Sequence, residues 1–296
     1  MTPSYSKGVS EILNIASDII HGLNNQIIDV VDIARPPDIE YARHLSLVIS
    51  KLSPLIGNMI EFAIVSALNQ KDWTRYNGQW DRQDPGFPDT IFQWNKEIKP
   101  GIEVKTWFPL ATEITARFKD SQLHFTNNQT NVAIVAWMPE HLIFGKPRII
   151  DIFVDTAKSL AMARDEHYHN PPDYLVFEPE DTTRRTKNLQ QTNTNGYKFQ
   201  GSPKEMKKAD AEVLSWGRNG KTFSISPAYQ RRLKSLLGKY SYRLDTNFAK
   251  IDRIEHPGLE EFKSRVLGSE FFGSTINVWG KNLIRSEEGL NRLLNL

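Results

Sequence analysis

Cysteine is absent from all 296 residues. That one absence excludes disulfide frameworks, thiolate zinc sites, iron–sulfur clusters and cysteine nucleophiles, and it fits a reducing compartment. Long apolar runs are missing too. The longest, 132–138 and 148–154, are strand-sized, whereas a membrane helix needs about 20 apolar residues, so no membrane segment is expected. The segment 1–14 holds one lysine and no extended apolar core, which is not the pattern of a secretory signal; a cytoplasmic location is the expectation. Charge of one sign is also lacking. Lys and Arg number 37 against 35 Asp and Glu, a net charge of +2. A tail-like, non-specific nucleic-acid binder is usually far more basic, but a near-neutral chain still binds DNA when its cations cluster on one face. No G-x-x-x-x-G-K-[ST] and no G-x-G-x-x-G occurs, so no nucleotide cofactor is expected. The missing G-x-S-x-G speaks against a serine esterase.

What is present is an ordinary globular composition, 39% hydrophobic and 24% charged, long enough to bury a core without staples. Apolar residues recur at three- and four-residue spacing over 9–34, which predicts a helix ended by Pro36-Pro37. A second helical run covers about 38–69 with a break near Pro54. The pattern then changes. Strands are predicted over 89–94, 101–108, 132–138, 149–154 and 174–177, and helices over 110–123, 156–167, 229–237, 258–267 and 286–294. This order predicts an α/β fold: a mixed central β-sheet flanked by helices, with additional N-terminal helices. Residues 1–54 read as an N-terminal helical region and 55–296 as the main domain, in one continuous body.

One constellation carries chemistry. Pro88-Asp89 is followed, with thirteen residues between, by Glu103-Val104-Lys105. Strand alternation puts Glu103 and Lys105 on one face and Val104 on the other. If the Asp89 segment pairs with this strand, two carboxylates and one ammonium share a site. Hard cations such as Mg²⁺ take oxygen ligands and keep several waters. Such an ion lowers the pKa of a bound water and neutralises phosphoryl charge, while Lys105 can orient the water or stabilise developing negative charge. The Val104 carbonyl is a further candidate ligand. The plain alternative is a solvated surface pair of Glu103 and Lys105 worth about 0–1 kcal/mol.

The grouping resembles the PD-(D/E)xK nuclease superfamily, most closely its type II restriction endonucleases. Pro88, Asp89, Glu103 and Lys105 match the motif, and the likeness covers about 55–140. It implies a restriction-endonuclease-like core of helix, three strands, helix and strand. It further implies Mg²⁺-dependent, sequence-specific hydrolysis of double-stranded DNA leaving 5′-phosphates, and a glutamate from the preceding helix, here Glu61, assisting the site. A homodimer is expected, because cutting both strands of a two-fold site needs two active centres. A repair or junction-resolving nuclease of the same core, or a DNA-binding protein without cleavage, would show the same residues.

Candidates for holding DNA lie further on. Arg184, Arg185, Lys187, Asn188, Gln190 and Gln191 crowd one polar stretch. Arginine suits guanine, and Asn or Gln suits adenine, through paired hydrogen bonds. Lys198 sits between Tyr197 and Phe199, and Arg117 and Lys119 follow the catalytic strand together with Thr115, Ser121 and Gln122. Arg231-Arg232-Leu233-Lys234 is equally a solvated helix face or a phosphate patch. His167, His169 and Asp173 on a proline-rich turn, and Asp151 with Asp155, read more readily as surface and strand-end residues than as metal ligands.

Overall fold

The computed structural model describes residues 3–83, 86–111, 113–178, 194–283 and 287–295, with side chains from residue 7 onward. Three helices come first: α1 (Pro3–His21), α2 (Ile39–Val48) and α3 (Ser53–Asn69). Strands β1 (Gln79–Arg82), β2 (Thr90–Gln93), β3 (Gly101–Trp107), β4 (Thr130–Pro139) and β5 (Pro147–Thr156) follow. Then come α4 (Ala157–Tyr168), β6 (Tyr174–Phe177), β7 (Asn195–Phe199), α5 (Pro203–Ser215), α6 (Pro227–Lys239) and β8 (Tyr242–Asp245). The last described elements are α7 (Pro257–Gly268), β9 (Glu270–Phe271), β10 (Ser274–Thr275), α8 (Ile276–Asn282) and α9 (Glu287–Leu294). These elements form two compact units. Unit 1 comprises Met1–Ala116, Gln129–Asp155 and Pro257–Leu296; unit 2 comprises Arg117–Asn128 and Thr156–His256.

Unit 1 is built on a five-stranded sheet in the order β1-β2-β3-β4-β5. The β1–β2 and β2–β3 pairs are antiparallel and β3–β4 is parallel, so the mixed α/β sheet with N-terminal helices is present. Every residue of β4 is buried, which accounts for its unbroken apolar run: a strand covered on both faces has no polar side to alternate with. Helix α3 packs on β1 and β3, and α1 on α3 and β4. Gly57 makes the α3 approach close, since a Cβ there would lie 3.2 Å from Thr106 Oγ1. The stretch Ile39–Asn69 is long and apolar enough to pass for a membrane span by composition. A 3-10 turn at Ile49–Leu52 divides it, just before Pro54. Ile56, Ile60, Ile64 and Leu68 of its second half are buried in unit 1.

Unit 2 is a three-stranded antiparallel sheet, β6-β7-β8. Leu175 and Phe199 of the sheet bury against Ala209 and Val213 of α5 and Tyr229, Leu233 and Leu236 of α6. Helix α5 starts with a reciprocal capping box between Ser202 and Glu205 and Pro203 in its first turn. A buried polar network ties the unit together. Arg164 and Asp165 are fully buried and paired at 2.7 Å. Gln122 donates to Asp165 at 2.9 Å, and the Ser121 hydroxyl and the Leu123 amide donate to Glu178.

Two predicted helices are corrected. The 9–34 helix ends at His21. Beyond Gly22 the chain leaves the helix and adds to β5, with Asn25 N–H donating to Ile149 O at 3.0 Å and Ile28 N–H to Pro147 O at 2.8 Å. Sheet hydrogen bonds thus replace the helical ones. The 110–123 helix does not form among the described residues: a 3-10 turn at Pro109–Ala111 gives way to irregular chain. Tertiary partners take its backbone groups. Phe118 N–H donates to Ala249 O at 2.7 Å, Leu123 N–H to Glu178 Oε1 at 2.8 Å, and Arg164 donates to the carbonyls of Phe118 and Asp120. The crossover from β3 to β4 therefore lacks the helix that the family resemblance implies.

Candidate active site

The register of β2 on β3 brings the acidic residues together. Thr90 lies opposite Ile102 and Ile91 opposite Gly101. One further step in the same register would set Asp89 opposite Glu103. The ladder ends before that step, and a side chain completes it: the Val104 N–H donates to Asp89 Oδ2 at 2.6 Å. Hydrogen bonds of a backbone N–H to an ionised carboxylate are short and strong, so this one anchors Asp89 in the plane of the sheet. Gly101 makes the approach possible. A Cβ at Gly101 would lie 2.2 Å from Pro88 Cγ, so only glycine lets the proline before Asp89 rest on β3.

On β3, Glu103 and Lys105 share a face and form an ion pair. The Lys105 ammonium also reaches the Val104 carbonyl at 3.3 Å. Glu103 is buried, as is Val104, and a buried carboxylate needs such a cation beside it. Glu61 stands on α3, which covers the Thr106 side of β3, the side away from Glu103 and Lys105. Arg82 of β1 donates to Glu61 Oε2 at 3.0 and 3.3 Å and to Asn58 Oδ1 at 2.8 Å. Burial raises the Glu61 pKa above the usual carboxylate value and the charge of Asp89 raises it further; Arg82 and Lys105 oppose the shift. Glu61, Asp89 and Lys105 therefore share one electrostatic neighbourhood.

The donor set is oxygen only: the carboxylates of Asp89 and Glu103 and the carbonyl of Val104. Among the described residues, no three His, Asp or Glu side chains are drawn closely enough together to hold an ion. Two carboxylates and a main-chain oxygen, with water completing the shell, is nonetheless the sparse ligand set that Mg²⁺ accepts. By the chemistry of their donors these residues fit a hard divalent cation.

The predicted DNA-holding residues fall in unit 2. Arg184, Arg185, Lys187, Asn188, Gln190 and Gln191 lie outside the described residues. Lys198 is exposed on β7, and Arg117 is exposed opposite Lys250. Burial, helped by the charge of Arg117, lowers the pKa of the Lys119 ammonium. Ser121 and Gln122 are buried in the Arg164–Asp165–Glu178 network and offer nothing to a duplex. Side chains of the set-aside groups have other partners. His167 pairs with Glu255 at 3.2 Å, His169 is buried against Tyr229, and Asp151 accepts from Arg265 at 2.9 Å. Sequence reasoning missed Arg82, Asn58 and the close approach at Gly101. The alternation in Gln79-Trp80-Asp81-Arg82 was a faint signal for the first, but four residues are too few to separate strand from turn.

Comparison with family models, with curated proteins and with solved structures gave no match. The functional reading therefore rests on the geometry of unit 1.

Proposed function

We propose that this chain is a Mg²⁺-dependent, site-specific deoxyribonuclease of the PD-(D/E)xK kind, acting on double-stranded DNA as type II restriction endonucleases do. One observation carries the reading: at the end of the β2–β3 ladder Asp89 accepts the N–H of Val104, the residue next to Glu103, and Lys105 pairs with Glu103. Asp89, Glu103 and the Val104 carbonyl would hold the cation, which supplies charge neutralisation at the phosphate and a more acidic water. Asp89 is fixed by the Val104 N–H, so its carboxylate keeps one orientation. Lys105 reaches both Glu103 and the Val104 carbonyl, and from there its ammonium orients the attacking water or holds the charge that develops on a phosphoryl oxygen. The water oxygen bonds to phosphorus, the P–O3′ bond breaks, and a 5′-phosphate and a 3′-hydroxyl remain. Glu61 supports the site through the field it shares with Asp89 and Lys105. Lys198, Arg117 and Lys119 are assigned to DNA contact.

The protein works as a homodimer in the cytoplasm in this reading. Tyr41, Leu47 and Val48 of α2 and Leu55 and Phe62 of α3 are exposed apolar residues, the kind of surface a second copy covers. Digestion of a mixed-sequence plasmid with Mg²⁺ tests the proposal. Discrete bands are the expected result, and a Lys105→Ala variant should bind DNA but lose at least about a hundredfold in rate. Cutting only at branched or mismatched DNA would make the protein a repair or junction-resolving enzyme. A gel shift on intact DNA would make it a binding protein. Normal cutting by Lys105→Ala would sink the role given to that residue.

A further inference from the structure

The net charge of +2 hides an uneven partition. Unit 2 carries 20 Lys and Arg against 13 Asp and Glu, a net +7, while unit 1 carries 17 against 22, a net −5. The unit that holds the candidate site is thus acidic, and the other is strongly basic. Such asymmetry between parts of one chain points to a polyanionic partner.

One pair of these cations is set side by side in the β6-β7-β8 sheet. Lys198 on β7 lies directly opposite Arg243 on β8, and Tyr174 on β6 lies opposite Lys198 on its other side. Both cations are exposed. Side chains facing each other across antiparallel strands stand about 5 Å apart at Cβ, and like charges placed so destabilise the sheet. The nearest acid on this face of β8, Asp245, is already engaged: it accepts from the Tyr174 hydroxyl at 3.1 Å and from the Asn247 N–H at 2.9 Å. The fold therefore holds two cations side by side with an aromatic ring next to them. Two adjacent cations suit consecutive phosphates.

We propose that Lys198 and Arg243 form a phosphate clamp through which unit 2 grips the backbone of duplex DNA. The clamp rests on the DNA reading given above and adds to it the locus of affinity and a residue, Arg243, that sequence alone did not single out. Its contribution is sequence-independent, because phosphate contacts position a duplex without reading it.

The experiment is fluorescence anisotropy on the full chain, with a labelled mixed-sequence duplex in EDTA, over a salt series. Each phosphate contact contributes about 0.9 to the slope of log K against log salt. A Lys198→Gln/Arg243→Gln double variant should therefore lose about 1.8 from the slope, and it should melt no lower than the parent because a repulsion is gone. A charge-matched control in unit 1, Lys71→Gln/Lys281→Gln, should keep the parent slope. An unchanged slope in the first variant, an equal fall in the control, or no binding of duplex by the parent would each overturn the clamp. Clamp-dependent binding without any cutting in Mg²⁺ upholds the clamp and sinks the nuclease reading. Cutting with an unchanged slope in the double variant does the reverse.

Discussion

Gly101→Ala tests whether the geometry of the proposed active site depends on one missing methyl group. The added Cβ would meet Pro88 Cγ at 2.2 Å, whereas ordinary contact begins near 3.4 Å. Pro88 is a ring and cannot swing aside, so the Pro88-Asp89 segment must move by about 1.2 Å. Added to the 2.6 Å bond between the Val104 N–H and Asp89, that shift gives about 3.8 Å, beyond hydrogen-bond reach. A displacement of about 1 Å at a reacting centre costs on the order of a hundredfold in rate. Stability should change little by comparison. Overpacking costs about 1–3 kcal/mol, and replacing a strand glycine by alanine returns about 0.5–1 kcal/mol. The assay is single-turnover plasmid cleavage at saturating enzyme, with thermal unfolding alongside. Gly238→Ala is the control: Gly238 lies within α6 with open space around it, so that variant should cut normally and melt slightly higher. If Gly101→Ala cut as fast as the parent, Pro88 and Asp89 would not be held by β3 in the way argued, and the site would lose its anchor.

Glu61→Gln keeps the size of the side chain and removes its charge. Because Arg82 retains Asn58 and the Glu61–Arg82 pair is partly exposed, stability should fall by no more than about 1 kcal/mol, while the cleavage rate drops roughly tenfold; an unchanged rate would leave Glu61 a purely structural partner of Arg82. His169 accepts from the Val176 N–H at 3.4 Å and meets the Tyr229 hydroxyl at 2.7 Å, and that hydroxyl donates to the Gly220 carbonyl. The imidazole is neutral in this chain of bonds, and burial lowers its pKa from 6.5 to about 4. As pH falls from 6.5 towards 4 the unfolded chain gains a proton that the fold refuses, so about 3 kcal/mol of stability is lost across that window. Thermal melts of His169→Gln should be flatter there than those of the parent, and parallel curves would refute the assignment. Phe62 is 68% exposed, and Phe62→Asp should convert a dimer to a monomer in sedimentation and reduce double-strand breaks to nicks. A parent that sediments as a monomer while cutting both strands would end the dimer proposal.

The central strands and the grouping of the candidate residues were legible because period-two alternation survives in β3 and because β4 is apolar from Val132 to Met138; both signals are local. The lost helices show where local reading stops. Residues 110–123 contain helix formers, but Phe118 and Leu123 hydrogen-bond to residues far along the chain, and no spacing in the sequence announces Ala249 or Glu178 as partners. The same limit hid the burial of Ser121 and Gln122, whose polar side chains look like surface until Asp165 and Glu178 stand beside them. Arg243 escaped notice for a related reason. A cation on an edge strand is unremarkable until register places a second one opposite it.

The early end of the β2–β3 ladder is what turns a hairpin into a site. Had β2 continued, a backbone carbonyl would have met the Val104 N–H, and the Asp89 side chain would have followed the pleat away from it. Because the ladder stops, the N–H is given to a carboxylate, and an anion is fixed in the sheet plane beside Glu103. Asp89 and the half-buried Glu61 raise one another's cost. Lys105 and Arg82 offset part of it through their pairs with Glu103 and Glu61. In the proposed reading a cation would offset this cost, and oxygen-only donors would favour a hard divalent ion over a soft one.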